Sequence, residues 1–134
     1  METTKRQIHS SLKVLLVSDL EKSRKFYSDV LGCEVTDWWA IRDGFSGLAI
    51  KLLEASDPKE VRPNPPAAGD QQGFDLYCYV EDWNSLDELY HEFKEKGAHI
   101  AIEPRVDEGN GPWKEFAVKD LDGYCIAFGG TDGF

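Results

Sequence analysis

The chain has 134 residues, 41% hydrophobic and 30% charged, which suits a single folded domain and excludes a disordered one. Its formal net charge is −10, and residues 73–134 hold 14 acidic against 5 basic side chains, so a phosphate backbone would be repelled and nucleic acid is excluded as a partner. No apolar run approaches the ~18 residues that cross a bilayer, and Met1 to Gln7 leads into no signal-peptide core, so a cytoplasmic protein with no membrane partner is expected.

In chain order, the apolar-rich run Leu12 to Val17 predicts a strand and ends in Val17-Ser18-Asp19-Leu20. Asp19 stands at the N-cap of a helical pattern in which Leu20, Tyr27, Val30 and Leu31 share a face. Gly32 stands where that helix should stop. Trp39-Ala40-Ile41-Arg42-Asp43 and Gly47-Leu48-Ala49-Ile50 predict strands about the turn dipeptide Asp43-Gly44. Ala55 to Gly73 then carries Pro58, Pro63, Pro65 and Pro66, a linker stiffened by proline.

The same order returns after the linker. Phe74 to Val80 is followed by Val80-Glu81-Asp82-Trp83, with Asp82 as the second N-cap. Trp83, Leu86, Leu89, Tyr90 and Phe93 share the second helical face, which Gly97 closes. Phe116-Ala117-Val118-Lys119-Asp120 mirrors the strand at Trp39, and Gly123-Tyr124-Cys125-Ile126 mirrors the strand at Gly47, after the turn dipeptide Asp122-Gly123. Each copy reads as strand, helix and three strands. The expected fold is α+β, with two βαβββ modules over 8–54 and 73–130, joined by a Pro-rich linker at 55–72 within a single domain spanning 1–134. Their strands are expected to form a curved mixed sheet around a cavity, helices on the convex face, the two copies sharing one sheet or pairing across a dimer.

Alternation along a strand sorts side chains onto two faces. Asp75, Tyr77 and Tyr79 go to the concave face, and Leu76, Cys78 and Val80 to the helices. Lys51 takes Ala49 and Leu53 with it, and Leu12 takes Val14 and Leu16. Trp39 with Ile41, and Phe116 with Val118, read as core pairs, which turns Trp38 and Glu115 to the concave side. Cys33, Cys78 and Cys125 have no CxxC spacing and read as reduced thiols on strands.

Two such modules resemble the vicinal oxygen chelate superfamily, which includes glyoxalase I, extradiol dioxygenases and the bleomycin-resistance proteins. The resemblance runs from about Ser11 to Gly129. It rests on Val17 to Tyr27 followed by Val30-Leu31-Gly32, and on Asp120-Leu121-Asp122-Gly123-Tyr124, where the family usually has Pro in place of Leu121. Pro112-Trp113 with Lys114 to Asp120 resembles the bleomycin-resistance branch. The family's four metal-ligand positions fall on Leu12, Lys51, Asp75 and Ala127. Leu and Ala cannot ligate, protonated Lys has no lone pair, and one carboxylate does not hold a divalent ion. His9, His91 and His99 stand at no metal spacing. The expectation is therefore no metal, no cofactor and no catalytic residue.

What remains is a ligand site of Trp38, Lys51, Asp75, Tyr77, Tyr79, Trp113 and Glu115, with Lys51 and Asp75 expected to form an ion pair where the metal would sit. Aromatic faces and the acidic second half favour an aromatic, cationic small molecule. By resemblance, the protein sequesters its ligand as a homodimer, in the manner of antibiotic-resistance proteins. The alternative is an enzyme of the same superfamily, a lyase, isomerase or oxidoreductase with a non-standard site.

Overall fold

A computed structural model describes residues 5–132, apart from the side chain of Asn110. Met1–Thr4, read above for targeting, lie outside the described residues, as do Gly133 and Phe134. The first module runs β1 (Lys13–Val17), α1 (Leu20–Asp29), β2 (Glu34–Val35), β3 (Trp39–Arg42) and β4 (Leu48–Glu54). The second runs β5 (Leu76–Tyr79), α2 (Trp83–Glu95), β6 (His99–Asp107), β7 (Trp113–Lys119) and β8 (Cys125–Gly130). Both have the βαβββ order, and the fold is mixed α+β. Among the described residues no helix is long and apolar enough to cross a membrane.

Both helices start and stop where the sequence says. The Asp19 carboxylate accepts the Lys22 amide at 3.0 Å, and the Asp82 carboxylate accepts the Ser85 amide at 2.7 Å, so each first turn has one free donor satisfied. Gly32 and Gly97 take φ of 69° and 88°, the left-handed region in which a side chain is strained, and end the helices.

The strands form two sheets, ordered β1-β4-β3-β2 and β5-β8-β7-β6. In each the first strand pairs parallel with the last, and the last pairs antiparallel with the third. Both sheets are mixed, as expected, and of the two expected arrangements the modules do not share one sheet, since β1 and β5 are edge strands with no ladder between them. One reason lies at the β1 edge, where the Leu16 carbonyl accepts the Tyr124 hydroxyl at 2.6 Å instead of a neighbouring strand.

One apolar core joins the modules. Leu15, Val17, Tyr27, Leu31, Ile50 and Leu52 from the first pack with Leu86, Phe93, Phe116, Val118 and Ile126 from the second. Burying each large apolar side chain contributes about 1.5–3 kcal/mol. Polar clasps add direction. Tyr27 donates to Asp120, Ser18 gives its amide and hydroxyl to Asp122, and Arg42 on β3 grips Glu92 on α2 with two nitrogens at 2.6 and 3.0 Å.

Candidate functional site

The faces of β5 alternate as the sequence predicts. Leu76, Cys78 and Val80 pack toward the helices against the shared core. Tyr77 and Tyr79 turn to the opposite, open face, in register with Ala127 and Gly129 of β8. Trp113 and Glu115 reach the same face from β7, where Glu115 lies opposite Gly129.

These four side chains form one connected group. The Trp113 indole N–H donates to the Tyr77 hydroxyl at 2.7 Å, and that hydroxyl donates to Glu115 Oε1, also at 2.7 Å. Arg105, on β6, holds Glu115 Oε2 with Nη2 at 2.8 Å and Nε at 3.1 Å. Ring centroids lie 5.4 Å apart for Tyr77–Tyr79 and 5.9 Å for Tyr79–Trp113, within the range of favourable aromatic pairs. Gly129 makes room for this: a Cβ there would collide with the Tyr77 hydroxyl and the Trp113 indole nitrogen. Burial pushes the Tyr77 phenol well above its ordinary pKa, and its bond to Glu115 adds to the rise while the Trp113 N–H works against it. Tyr77 is therefore a neutral hydrogen-bonding group at physiological pH.

The floor of this face is filled. Ala117, Cys125 and Ala127 are buried beneath Phe74, Tyr77, Ala101 and Ile102. Beside it lies a basin of about 620 Å³. Phe74, Ala101, Ile102 and Arg105 line it together with Gln71 and Gln72 of the linker. Tyr79 stands beside the group 78% exposed.

The remaining predicted site residues lie elsewhere. On the first sheet the Lys51 ammonium sits 4.7 Å from the centroid of the Trp38 ring, a cation–π contact. Asp75, just before β5, takes the Asn64 amide on one oxygen at 2.7 Å and the Cys125 amide on the other at 2.9 Å, fastening the linker to the head of β8. The expected Lys51–Asp75 ion pair is not formed. Lys51 lies on β4 of the first sheet and Asp75 just ahead of β5 of the second, and each has another partner.

The sequence misplaces β3. Trp39 lies opposite Lys51 and Ile41 opposite Ala49, so both face the open side, while Ala40, opposite Ile50, is fully buried. Trp39 is thus not a core residue, and neither is Ile41. Trp39 instead packs against Trp38, with ring centroids 4.6 Å apart, and edge-on against Phe45 at 5.0 Å. Phe116 and Val118 are core residues as expected. Arg105, the charge partner of Glu115, is also missed. Its signal was available in principle, as a basic residue in a strand of alternating pattern, but two register shifts in β6 hide its face.

The four family metal positions do not suit a divalent ion. Leu12 and Ala127 offer no donor, Lys51 is a cation against a Trp ring, and both Asp75 oxygens are taken by amides. Among the described residues no three His, Cys, Asp or Glu side chains converge. Cys33 and Cys125 are buried and Cys78 is half-buried, all three unpaired by disulfides. Burial pushes the Cys33 and Cys78 thiols up to about 12 and Cys125 to about 11, away from a reactive thiolate.

A model of the glyoxalase/bleomycin resistance protein/dioxygenase superfamily matches residues 8–128. Comparison with curated proteins finds no match. Among solved structures, a glyoxalase/bleomycin resistance protein/dioxygenase from Alicyclobacillus acidocaldarius is similar, with a TM-score of 0.67, 16% identity, and coverage of 91% of this chain and 90% of that one. Hypothetical protein SA1046 from S. aureus is 25% identical with a TM-score of 0.59, over 92% and 97% of the two chains. An integron cassette protein from the Halifax Harbour sewage metagenome is 21% identical with a TM-score of 0.64, over 90% and 97%.

Proposed function

We propose, for a chain that belongs to the glyoxalase/bleomycin resistance protein/dioxygenase superfamily, that it binds a small aromatic molecule without using a metal, and a cationic one by preference. The ligand rests on the open face of the second sheet, its ring against Tyr79 and Trp113 and its polar edge toward Tyr77 and Glu115. The observation that carries this reading is the exposure of Tyr79. A large aromatic ring left 78% in solvent beside two others is an unfinished stack. A ligand ring completing it gains roughly 0.5–1.5 kcal/mol per good pair beyond the area it buries. The basin next to Arg105 and Phe74 gives room for the rest of the molecule, and its size is in the range of ligand sites. Cationic character is favoured by the acidic second half of the chain. Lys51 lies on the other sheet, with Trp38 just ahead of β3, and they join this site only in a larger ligand or in a homodimer, the assembly the resemblance to bleomycin-resistance proteins implies.

The test is a thermal-shift screen of bleomycin-type drugs, smaller aromatic cations and divalent metals. A true ligand at a hundredfold excess over its Kd stabilises by about 2.7 kcal/mol. Tyr79→Ala should lose the shift while melting as the parent does without ligand, and Trp113→Ala should lose it too, on a chain about 1–3 kcal/mol less stable because the Tyr77 hydroxyl loses its donor. Tight stoichiometric uptake of zinc or nickel, or no response to any aromatic compound, overturns the reading. Sedimentation velocity checks the dimer.

A further inference from the structure

A second cavity, of about 370 Å³, lies between the two sheets. One wall is the start of β1 with the β3–β4 hairpin, the other is β5, and α2 closes the bottom through Leu89 and Phe93. Tyr77 and Tyr79 contribute to it from β5, but Trp113 and Glu115 do not, so it is a slot at the gap between β1 and β5 that meets the aromatic face only through those two rings.

Its depth is apolar. Leu48, Phe93 and Phe128 are buried at the floor, and Leu76, Val80 and Leu89 form the sides. Its exposed rim is polar, with Ser11, Asp43 and Ser46. Two cations and one anion line it, Lys13, Arg42 and Asp43, against the trend of a chain whose net charge is −10. Arg42 is already committed. Its guanidinium holds both Glu92 oxygens and the Leu31 carbonyl, and lies 4.0 Å from Asp43. Lys13 has no carboxylate partner in the ion pairs of the described residues. An apolar slot lined by a lysine with no carboxylate partner selects a molecule with an apolar body and a single negative head.

We propose that this slot is a second binding site, for an amphipathic monocarboxylate whose apolar part has the size of a medium alkyl chain or a single ring. The tail lies against Phe93 and Phe128, and the carboxylate meets Lys13. The slot shares Tyr77 and Tyr79 with the aromatic face but not Trp113 or Glu115.

The experiment is a titration of the full chain, methyl-labelled at Leu and Val, with octanoate, octanol and octylamine, followed by NMR. Octanoate should shift the methyls of Leu48, Leu76, Val80 and Leu89 and leave those of Val14 and Leu53, on the open face, in place. Octanol should bind at least fivefold more weakly and octylamine more weakly still. Lys13→Gln should erase the difference between octanoate and octanol, and Leu12→Trp, at the entrance, should block all three. Trp113→Ala should leave octanoate binding unchanged, which separates this site from the aromatic one. No shift at the slot methyls, octanol or octylamine as tight as octanoate, or Lys13→Gln binding octanoate as well as the parent would each overturn the proposal.

Discussion

The Tyr27 hydroxyl, on α1, donates a 2.7 Å hydrogen bond to the Asp120 carboxylate in the turn between β7 and β8. A helix of the first module is thereby fastened to the sheet of the second. Asp120 is 7% exposed and also accepts the amides of Asp122 and Tyr124 on its other oxygen.

Burial pushes the Asp120 carboxyl up to about 6, against the opposing pull of these three bonds. Between about pH 4 and 6 the folded chain then binds a proton that the unfolded chain has released. The stability tied to this group is full below the ordinary carboxylate value and falls as pH rises through about 6, by on the order of 1–3 kcal/mol. Carbon-detected NMR should find an Asp120 midpoint near 6. Urea unfolding should show the parent losing more stability over that interval than Asp120→Asn does. A midpoint near 4 would contradict this account.

Removing the hydroxyl should act on both partners. Tyr27→Phe is expected to cost about 1–2 kcal/mol in urea, because the ring still packs and Asp120 keeps its two amide donors. Since the lost bond favours the charged carboxylate, the Asp120 midpoint should move further up, which a purely packing role for Tyr27 would not produce.

Asp75 and Lys51 act with different partners, and a double-mutant cycle can show it. Asp75→Ala leaves the Asn64 and Cys125 amides without an acceptor and should cost about 1–3 kcal/mol. Coupling between Lys51→Ala and Trp38→Ala should be near 0.5–1 kcal/mol, the range for an exposed cation–π contact. Coupling between Lys51 and Asp75 should vanish within error. A coupling above about 1 kcal/mol between those two would restore the ion pair expected from the sequence.

Gly129→Ala tests how tightly the aromatic group is set. The added methyl meets the Tyr77 hydroxyl and the Trp113 indole nitrogen, so one ring must leave its place, at about 1–3 kcal/mol. Trp fluorescence should shift and the ligand of the aromatic face should bind more weakly. Unchanged fluorescence and melting would show that Tyr77 is free to move.

Most of the architecture was legible because its signals are local. Asp at the caps, Gly at the helix ends and strict alternation along β5 each follow from chemistry within a few residues. The β3 error has a simple cause. In the first module residues 43–47 separate the last strand pair, Arg42 and Leu48, whereas in the second Asp120 meets Tyr124 across residues 121–123 alone. The first hairpin is two residues longer, so matching the copies on their turn aspartates moved β3 by one place and exchanged its faces. The Lys51–Asp75 pair was not legible because it required one continuous sheet, and the side chain that blocks the β1 edge, Tyr124, lies far away in sequence. The aromatic group at Tyr77, Tyr79, Trp113 and Glu115 was found because all four sit on strands whose inward partners are plainly apolar. Its fifth member, Arg105, was not.

The shared core has one more consequence. Tyr27 and Leu31 from one repeat and Phe93 and Phe116 from the other enclose the same interior, so neither repeat owns enough apolar volume to stand by itself. A protease nick in the exposed turn at Ala67–Asp70 should therefore yield two pieces that travel together through a sizing column and refold only when mixed.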